Sequence, residues 1–364
     1  MPLRPREGVP RNIPTRYPIR HIAHEDLTVM QDFDFHRPQD LSDAVDLLAR
    51  IPDARIVAGG TDLMLLIKDL LLRPAALVAL AGLEDLVGIE AHTDGWTVGP
   101  MTPLWRLERS EALRGMYPAL HQAILDLAAP PIRNQATLGG NLCLDTKCIY
   151  YNQSHVWERN LPRCFKAGGD LCHVAPARKR CVAALVAEAV GPLWAYGAEL
   201  TLTSRNGTRR VPVSAFYTGD GLKPHNLARG EVLTAVHLPS PPPRSGAAYR
   251  RFAYRKTLEF SQLNVSAAIT LDDGGRIASA CLVVGAIGPA PVEMKESVAA
   301  FMGQRPSEGL WVQAAEMTPR EAVRLTRSPR LTPYRQEVLA AYAEHVLKEA
   351  FERAESNRTQ TRRT

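Results

Sequence analysis

Two paired-glycine turns constrain this chain more than any other feature. The first, "VAGGTDLM" (57–64), ends a short β-type run that begins at Arg55, and it opens into an apolar helix behind Asp62. The second, "IRNQATLGGNL" (132–142), lies about 80 residues further along. Adjacent glycines let the main chain approach another group closely and aim successive N–H groups at one anion. A neighbouring hydroxyl adds a donor, and a helix N-terminus adds a favourable dipole. Arg55, Ile56, Val57, Ala58, Gly59, Gly60, Thr61 and Asp62 thus form one candidate anion loop, and Ala136, Thr137, Leu138, Gly139, Gly140 and Asn141 a second. A pyrophosphate suits such a pair. Either turn alone is also compatible with a purely structural role. Neither is the G-x-G-x-x-G of a nicotinamide-binding Rossmann unit, nor a Lys-bearing phosphate loop.

Length and charge narrow the class. A chain of 364 residues with 45% hydrophobic content is expected to fold as two or three domains. The net charge of +6 is spread without a block of Lys/Arg, so the reading is an ordinary basic protein with no nucleic-acid partner. The most apolar run, Leu63–Leu72, is broken by Lys68 and Asp69 and is too short to span a bilayer. The N-terminus is rich in Arg and Pro but has no apolar signal core, which gives a cytoplasmic expectation. In a reducing compartment, six cysteines point to metal, redox duty or simple burial rather than disulfides.

Along the chain, residues 1–29 read as an irregular extension and 30–240 as the domain holding both turns. Within it, 143–181 carries five of the six cysteines among many basic and aromatic residues, the composition of an insertion that needs a metal to hold it. The prolines of 239–245 suggest a linker, 246–354 a second domain, and 355–364 a frayed polar tail. Helices are expected at Leu41–Leu48 (capped by Asp40 or Ser42), Leu104–Leu113, Leu120–Ala128, Val182–Val190 and Pro333–Arg353, with Pro130-Pro131 as a helix stop. Strands are expected at Ala75–Ala81, Trp96–Val98, Leu193–Leu202, Arg210–Val213, Val232–Leu238, Arg251–Tyr254, Asn264–Leu271 and Ile277–Gly285.

The cysteine spacing is Cys148-x15-Cys164-x7-Cys172-x8-Cys181, with no C-x-x-C pair. Structural zinc sites usually show such pairs, whereas a [4Fe–4S] cluster needs only four thiolates. From spacing alone, a cluster, a zinc ion and unligated thiols all stay open. Cys143 reads as a spare core thiol and Cys281, alternating with apolar residues, as buried. His155 and His173 read as surface or supporting residues. No Ser-His-Asp or paired-carboxylate constellation emerges.

The two turns in this order, with Gly95–Ser110 between them and "VVGAIGPAPV" (283–292) beyond, resemble the flavoprotein subunit of the xanthine dehydrogenase and carbon monoxide dehydrogenase family. The resemblance covers about Met30 to Arg353. It implies an α+β chain: a PCMH-type FAD-binding domain of two α/β subdomains, then a C-terminal domain of the CO dehydrogenase flavoprotein type. It implies FAD diphosphate contacts at 55–62 and 136–141. It also places a basic residue, Lys256 of Tyr254-Arg255-Lys256-Thr257, near the flavin ring, where a solvated surface charge is the competing reading. Most such subunits have no cysteine insertion. "GGNLCLDTKCIYYNQS" (139–154), "GDLCHV" (169–174) and "KRCVA" (179–183) resemble the 4-hydroxybenzoyl-CoA reductase branch, which implies Cys148, Cys164, Cys172 and Cys181 as [4Fe–4S] ligands.

The implied partners are a molybdopterin-binding large subunit and a [2Fe–2S] small subunit, arranged as a dimer of heterotrimers, with ferredoxin as external carrier. Substrate chemistry would lie on the large subunit. An FAD subunit of an aldehyde, xanthine or N-heterocycle dehydrogenase is the first alternative. A zinc-stapled interaction module is the second.

Overall fold

The computed structural model describes residues 32–154, 157 and 160–361. The expected extension at 1–29 and His155 lie outside them. Among the described residues, no helix is long and apolar enough to cross a membrane.

The N-terminal part begins with β1 (Asp34–His36), α1 (Leu41–Arg50), β2 (Ala54–Val57), α2 (Leu63–Lys68) and β3 (Ala76–Ala79). The Asp40 carboxylate caps α1 by accepting from Asp43 N at 2.8 Å, satisfying a donor that the helix leaves open. Ala44, Val45, Leu47 and Leu48 are its buried stripe. The strands form a parallel sheet ordered β1-β3-β2. Every residue of β3 is buried, as expected for a strand covered on both faces.

The next layer is a five-stranded antiparallel sheet ordered β4-β5-β8-β6-β7. It comprises β4 (Ile89–His92), β5 (Gly95–Val98), β6 (Glu199–Ser204), β7 (Gly207–Pro212) and β8 (Val232–Pro239). Short helices cover its inner face: α3 (Leu104–Glu108), α4 (Glu111–Met116), α5 (Pro118–Asp126), α6 (Pro130–Arg133), α7 (Leu138–Leu142), α8 (Val190–Ala195) and α9 (Val213–Phe216). Their core includes Leu104, Leu107, Tyr117, Leu120, Leu138, Leu193 and Phe216. The Tyr117 hydroxyl donates to Leu238 O (3.2 Å) and Pro239 O (3.1 Å), and burial pushes its pKa up to about 12.

The second domain is a four-stranded antiparallel sheet ordered β12-β11-β10-β9. Its strands are β9 (Ser245–Phe252), β10 (Leu263–Leu271), β11 (Ile277–Gly285) and β12 (Val292–Glu293). Against it lie α10 (Lys295–Ala299), α11 (Glu308–Thr326) and α12 (Pro333–Thr361). A Cβ on Gly246 would meet Ala350 O at 2.2 Å, so α12 rests directly on the β9 backbone. Gln122 of α5 ties the two domains together: its amide oxygen accepts from Tyr249 N (3.0 Å) and its nitrogen donates to Glu349 (2.8 Å).

Several elements differ from the sequence expectation. The helix expected over Leu104–Leu113 is broken in two, because Ser110 caps Leu113 N at 3.1 Å and starts α4. Pro130-Pro131 does not end a helix but begins α6, where a missing N–H costs nothing. The helix expected at Val182–Val190 is absent over 182–187, which is non-helical chain, with a turn at 188–189 and only Val190 helical as the first residue of α8; the residues expected to start a strand at Leu193 also belong to α8. Gly197, at φ +71°, turns the chain into β6. Strand β9 begins at Ser245, before the expected Arg251, because its small residues admit α12. The tail expected to fray from Glu355 continues α12 to Thr361.

Candidate functional site

Both glycine turns open onto one cleft of about 1050 Å³. From the first turn Arg55, Ile56, Ala58, Gly59, Gly60, Thr61 and Asp62 line it; from the second, Ala136, Thr137, Gly139, Gly140 and Asn141. Val57 and Leu138 turn into the cores beneath. Lys256 is exposed and stands outside the lining, where Glu188, Leu258, Glu259 and Phe260 are found instead.

The turns are packed main chain against main chain. A Cβ on Gly59 would stand 1.9 Å from Gln135 O, and one on Gly139 would stand 2.6 Å from Pro100 Cβ. Gly60 has φ +69°, a conformation that favours glycine. The amides of Gly59, Gly60, Thr61 and Asp62 have no hydrogen-bond acceptor among the described residues. Four successive free donors at a cleft suit an anion. The second turn is different. Leu138 N donates to Thr102 O (3.1 Å), Gly139 N to Pro100 O (2.7 Å) and Gly140 N to the Thr137 hydroxyl (3.1 Å). Its expected donors are therefore largely consumed, and it acts as the rigid floor on which the first turn rests. Beneath it, Arg133 donates to both Glu108 oxygens (2.8 and 3.0 Å) and to Leu127 O (2.7 Å). The guanidinium beside Glu108 holds that carboxyl below its usual range.

Sequence reasoning missed several groups in or beside the cleft; Glu188 and His225 line it, and Lys147 stands next to it. Lys147 pairs with Asp62, tying the start of the cysteine segment to the first turn, and its ammonium lies 5.8 Å from the Phe260 ring centroid. Glu188 is buried at the cleft wall, accepts from the Ser261 hydroxyl (2.9 Å) and pairs with Arg251 at 3.5 Å. Burial pushes its pKa up to about 7, against the opposing pull of Arg251. His225 stacks on Phe216 with centroids 5.4 Å apart, and burial lowers its pKa.

Cys148, Cys164, Cys172 and Cys181 together line a second, smaller hollow with Tyr150, Tyr151, Lys166 and His173. Tyr150 N donates to Cys148 Sγ and Ala183 N to Cys181 Sγ, each at 3.5 Å, the kind of N–H donation that offsets thiolate charge. Burial pushes the Cys181 thiol up to about 11, with Lys166 acting in the opposite sense. Among the described residues, no three His, Cys, Asp or Glu side chains gather closely enough for a single metal ion. On one zinc ion, sulfurs would stand about 3.8 Å apart. His173 stacks on Tyr150 (5.2 Å), and its Nε2 lies 2.7 Å from Pro162 O. Cys143 lines the cleft rather than the hollow.

Residues 31–241 match the model described as FAD binding domain in molybdopterin dehydrogenase, and 247–350 match the CO dehydrogenase flavoprotein C-terminal domain. The chain therefore belongs to the FAD-binding subunits of the molybdopterin dehydrogenase family, as an α+β protein with a PCMH-type FAD-binding domain. It is 32% identical over 260 residues to an aldehyde oxidoreductase FAD-binding subunit of Escherichia coli (strain K12), covering 68% of this chain and 81% of the relative. It is 27% identical over 277 residues to a nicotinate dehydrogenase FAD-subunit of Eubacterium barkeri, covering 75% of this chain and 81% of that one. Among solved structures, reconstituted CO dehydrogenase from Oligotropha carboxidovorans contains a chain with a TM-score of 0.70 at 25% identity; the match covers 90% of this chain and 100% of that one.

Proposed function

We propose that this chain is the electron-relay subunit of a heteromeric molybdenum-hydroxylase-type complex, with FAD in the large cleft and a [4Fe–4S] cluster on Cys148, Cys164, Cys172 and Cys181. The carrying observation is that these four cysteines, scattered over 34 positions of sequence, line one hollow. Their chemistry suits an iron–sulfur cluster, whose thiolates spread wider than those on one ion. Bound in the cleft, FAD supplies interchange between one- and two-electron transfer. The protein's part is to bind and position. The free amides of 59–62 would meet the diphosphate, Lys147 holds their loop in place through Asp62, and Leu258 and Phe260 furnish apolar surface at the cleft.

The proposed partners are a molybdopterin-binding large subunit, a [2Fe–2S] small subunit and a ferredoxin-like carrier, in a dimer of heterotrimers in the cytoplasm. The proposed overall reaction is the reductive removal of a phenolic hydroxyl from a 4-hydroxybenzoyl-CoA-like thioester on the large subunit. A second reading, an FAD subunit of a complex oxidising aldehydes or N-heterocycles, is favoured by the aldehyde oxidoreductase and nicotinate dehydrogenase relatives. Iron, acid-labile sulfide and flavin analysis of the anaerobically purified protein is the test. About four iron and four sulfide per flavin, lost on Ser substitution of the four cysteines with FAD retained, is the expected result. Flavin without iron would refute the cluster. Reduced-ferredoxin-driven turnover separates the two directions of flow.

A further inference from the structure

Among the described residues, two side chains line both the large cleft and the cysteine hollow: Tyr151 and Lys166. They form a wall one residue thick, with the Lys166 ammonium 5.1 Å from the Tyr151 ring centroid. The Tyr151 hydroxyl donates to Leu71 O at 3.0 Å, fixing the ring. Lys166 is fixed more tightly. Its Nζ donates to Asp145 Oδ1 (2.8 Å) and to the carbonyl and hydroxyl of Thr146 (both 2.9 Å). The Lys166 side chain is 6% exposed, while its ionic partner Asp145 is 35% exposed. Water therefore screens the carboxylate more than the ammonium, and the wall keeps a positive field.

We propose that Lys166 is an electrostatic element shared by the two redox sites, stabilising an added electron on either side of the wall and so raising both reduction potentials together. This rests on the reading that FAD and a four-thiolate cluster occupy the cleft and the hollow. One electron at a time comes from the external one-electron carrier and passes between the sites; no bond is made or broken. Three fixed hydrogen bonds prevent the ammonium from swinging toward one site, so the sharing is built into its position. Lys166 acts here as a positioning charge, touching neither substrate nor a reacting atom.

The test is a spectroscopic redox titration of the intact protein after flavin, iron and sulfide have been measured. Lys166→Met and Lys166→Gln should retain both cofactors and lower both midpoint potentials. A tenfold loss in each one-electron reduction equilibrium corresponds to about 59 mV, and that is the expected size. Lys166→Arg should stay close to the wild type. Asp145→Asn, which removes the offsetting carboxylate, should move both potentials upward. If Lys166→Met loses a cofactor, Lys166→Gln, which keeps a donor for Thr146, decides. Wild-type protein lacking iron would refute the cluster reading itself. With the cluster present, unchanged potentials in Lys166→Gln would overturn the inference while leaving that reading intact. A shift confined to one cofactor would overturn the shared role.

Discussion

Gly59→Ala probes the main-chain contact on which the cleft depends. The new Cβ would stand 1.9 Å from Gln135 O and 2.7 Å from Gln135 C. Ordinary contact begins near 3.4 Å, so the two turns must part by about 1.5 Å. Overpacking of this kind costs about 1–3 kcal/mol. Both colliding groups are backbone, which cannot step aside as a flexible side chain can, and this places the cost near the upper end. Relief comes from opening the cleft, and FAD must then close it again. About 3 kcal/mol corresponds to a roughly hundredfold weaker Kd. Flavin titration into deflavo protein, followed by fluorescence quenching, measures this directly. Gly115→Ala, in α4 with nothing within 4 Å of its added methyl, is the control and should gain about 0.5–1 kcal/mol in stability. A Gly59→Ala protein that binds FAD within twofold of the wild type, with unchanged Tm, would refute the reasoning.

Glu188 should make stability fall as pH rises. Its carboxyl is raised from 4.5 to about 7 in the folded protein, so both states are protonated below 4.5 and the folded state bears the cost of ionisation fully only above about 7. Glu188→Gln should abolish that pH slope, on the order of 3 kcal/mol between the two limits; denaturant unfolding at several pH values would show it, and an unaltered slope would count against it. Arg133→Ala should cost about 3 kcal/mol in urea unfolding, because it strands Glu108 and Leu127 O together. The matching acid effect has the opposite sign to that of Glu188: Glu108 is held low, so its contribution is present above 4.5 and lost as pH falls through the lowered value. Lys147→Met should weaken FAD binding about fivefold by freeing Asp62, a partly exposed ion pair worth about 1 kcal/mol; a double-mutant cycle with Asp62→Asn that gives zero coupling would exclude this route.

What the sequence discloses are features with local causes. Asp40 caps α1 through a residue three positions on, and Gly60 needs its positive φ whatever lies around it. The glycine turns were legible for that reason. The run Ala183–Ala187 was not. Each of its residues is at most 4% exposed, so it is buried on every side and carries no periodicity to separate extended chain from helix. Likewise, nothing within 136–141 indicates that its amides are already taken by Pro100 and Thr102, some 36 positions earlier. Lys147 and Lys166 were two basic residues among many in a basic segment. Only tertiary structure singles them out, by setting one against Asp62 and burying the other between two cavities. Glu188 gave a weak signal, as an acidic residue within an otherwise apolar stretch.

The cysteine segment leaves the body and re-enters it at a single seam. There the main chains of Lys147 and Ala184 exchange both hydrogen bonds, at 2.8 and 2.9 Å. Paired strands stand about 4.8 Å apart, so a short reverse turn could splice the chain across this point. The intervening residues form a cartridge that also grips the body through Tyr151 to Leu71 O (3.0 Å), Arg178 to Thr326 O (2.6 Å) and Gly221 N to Cys181 O (3.2 Å), while none of the ladder hydrogen bonds of the three sheets runs through it. Removing the cartridge would still be felt at the flavin, because it takes Tyr151 and Lys166 along and leaves that flank of the cleft open to water.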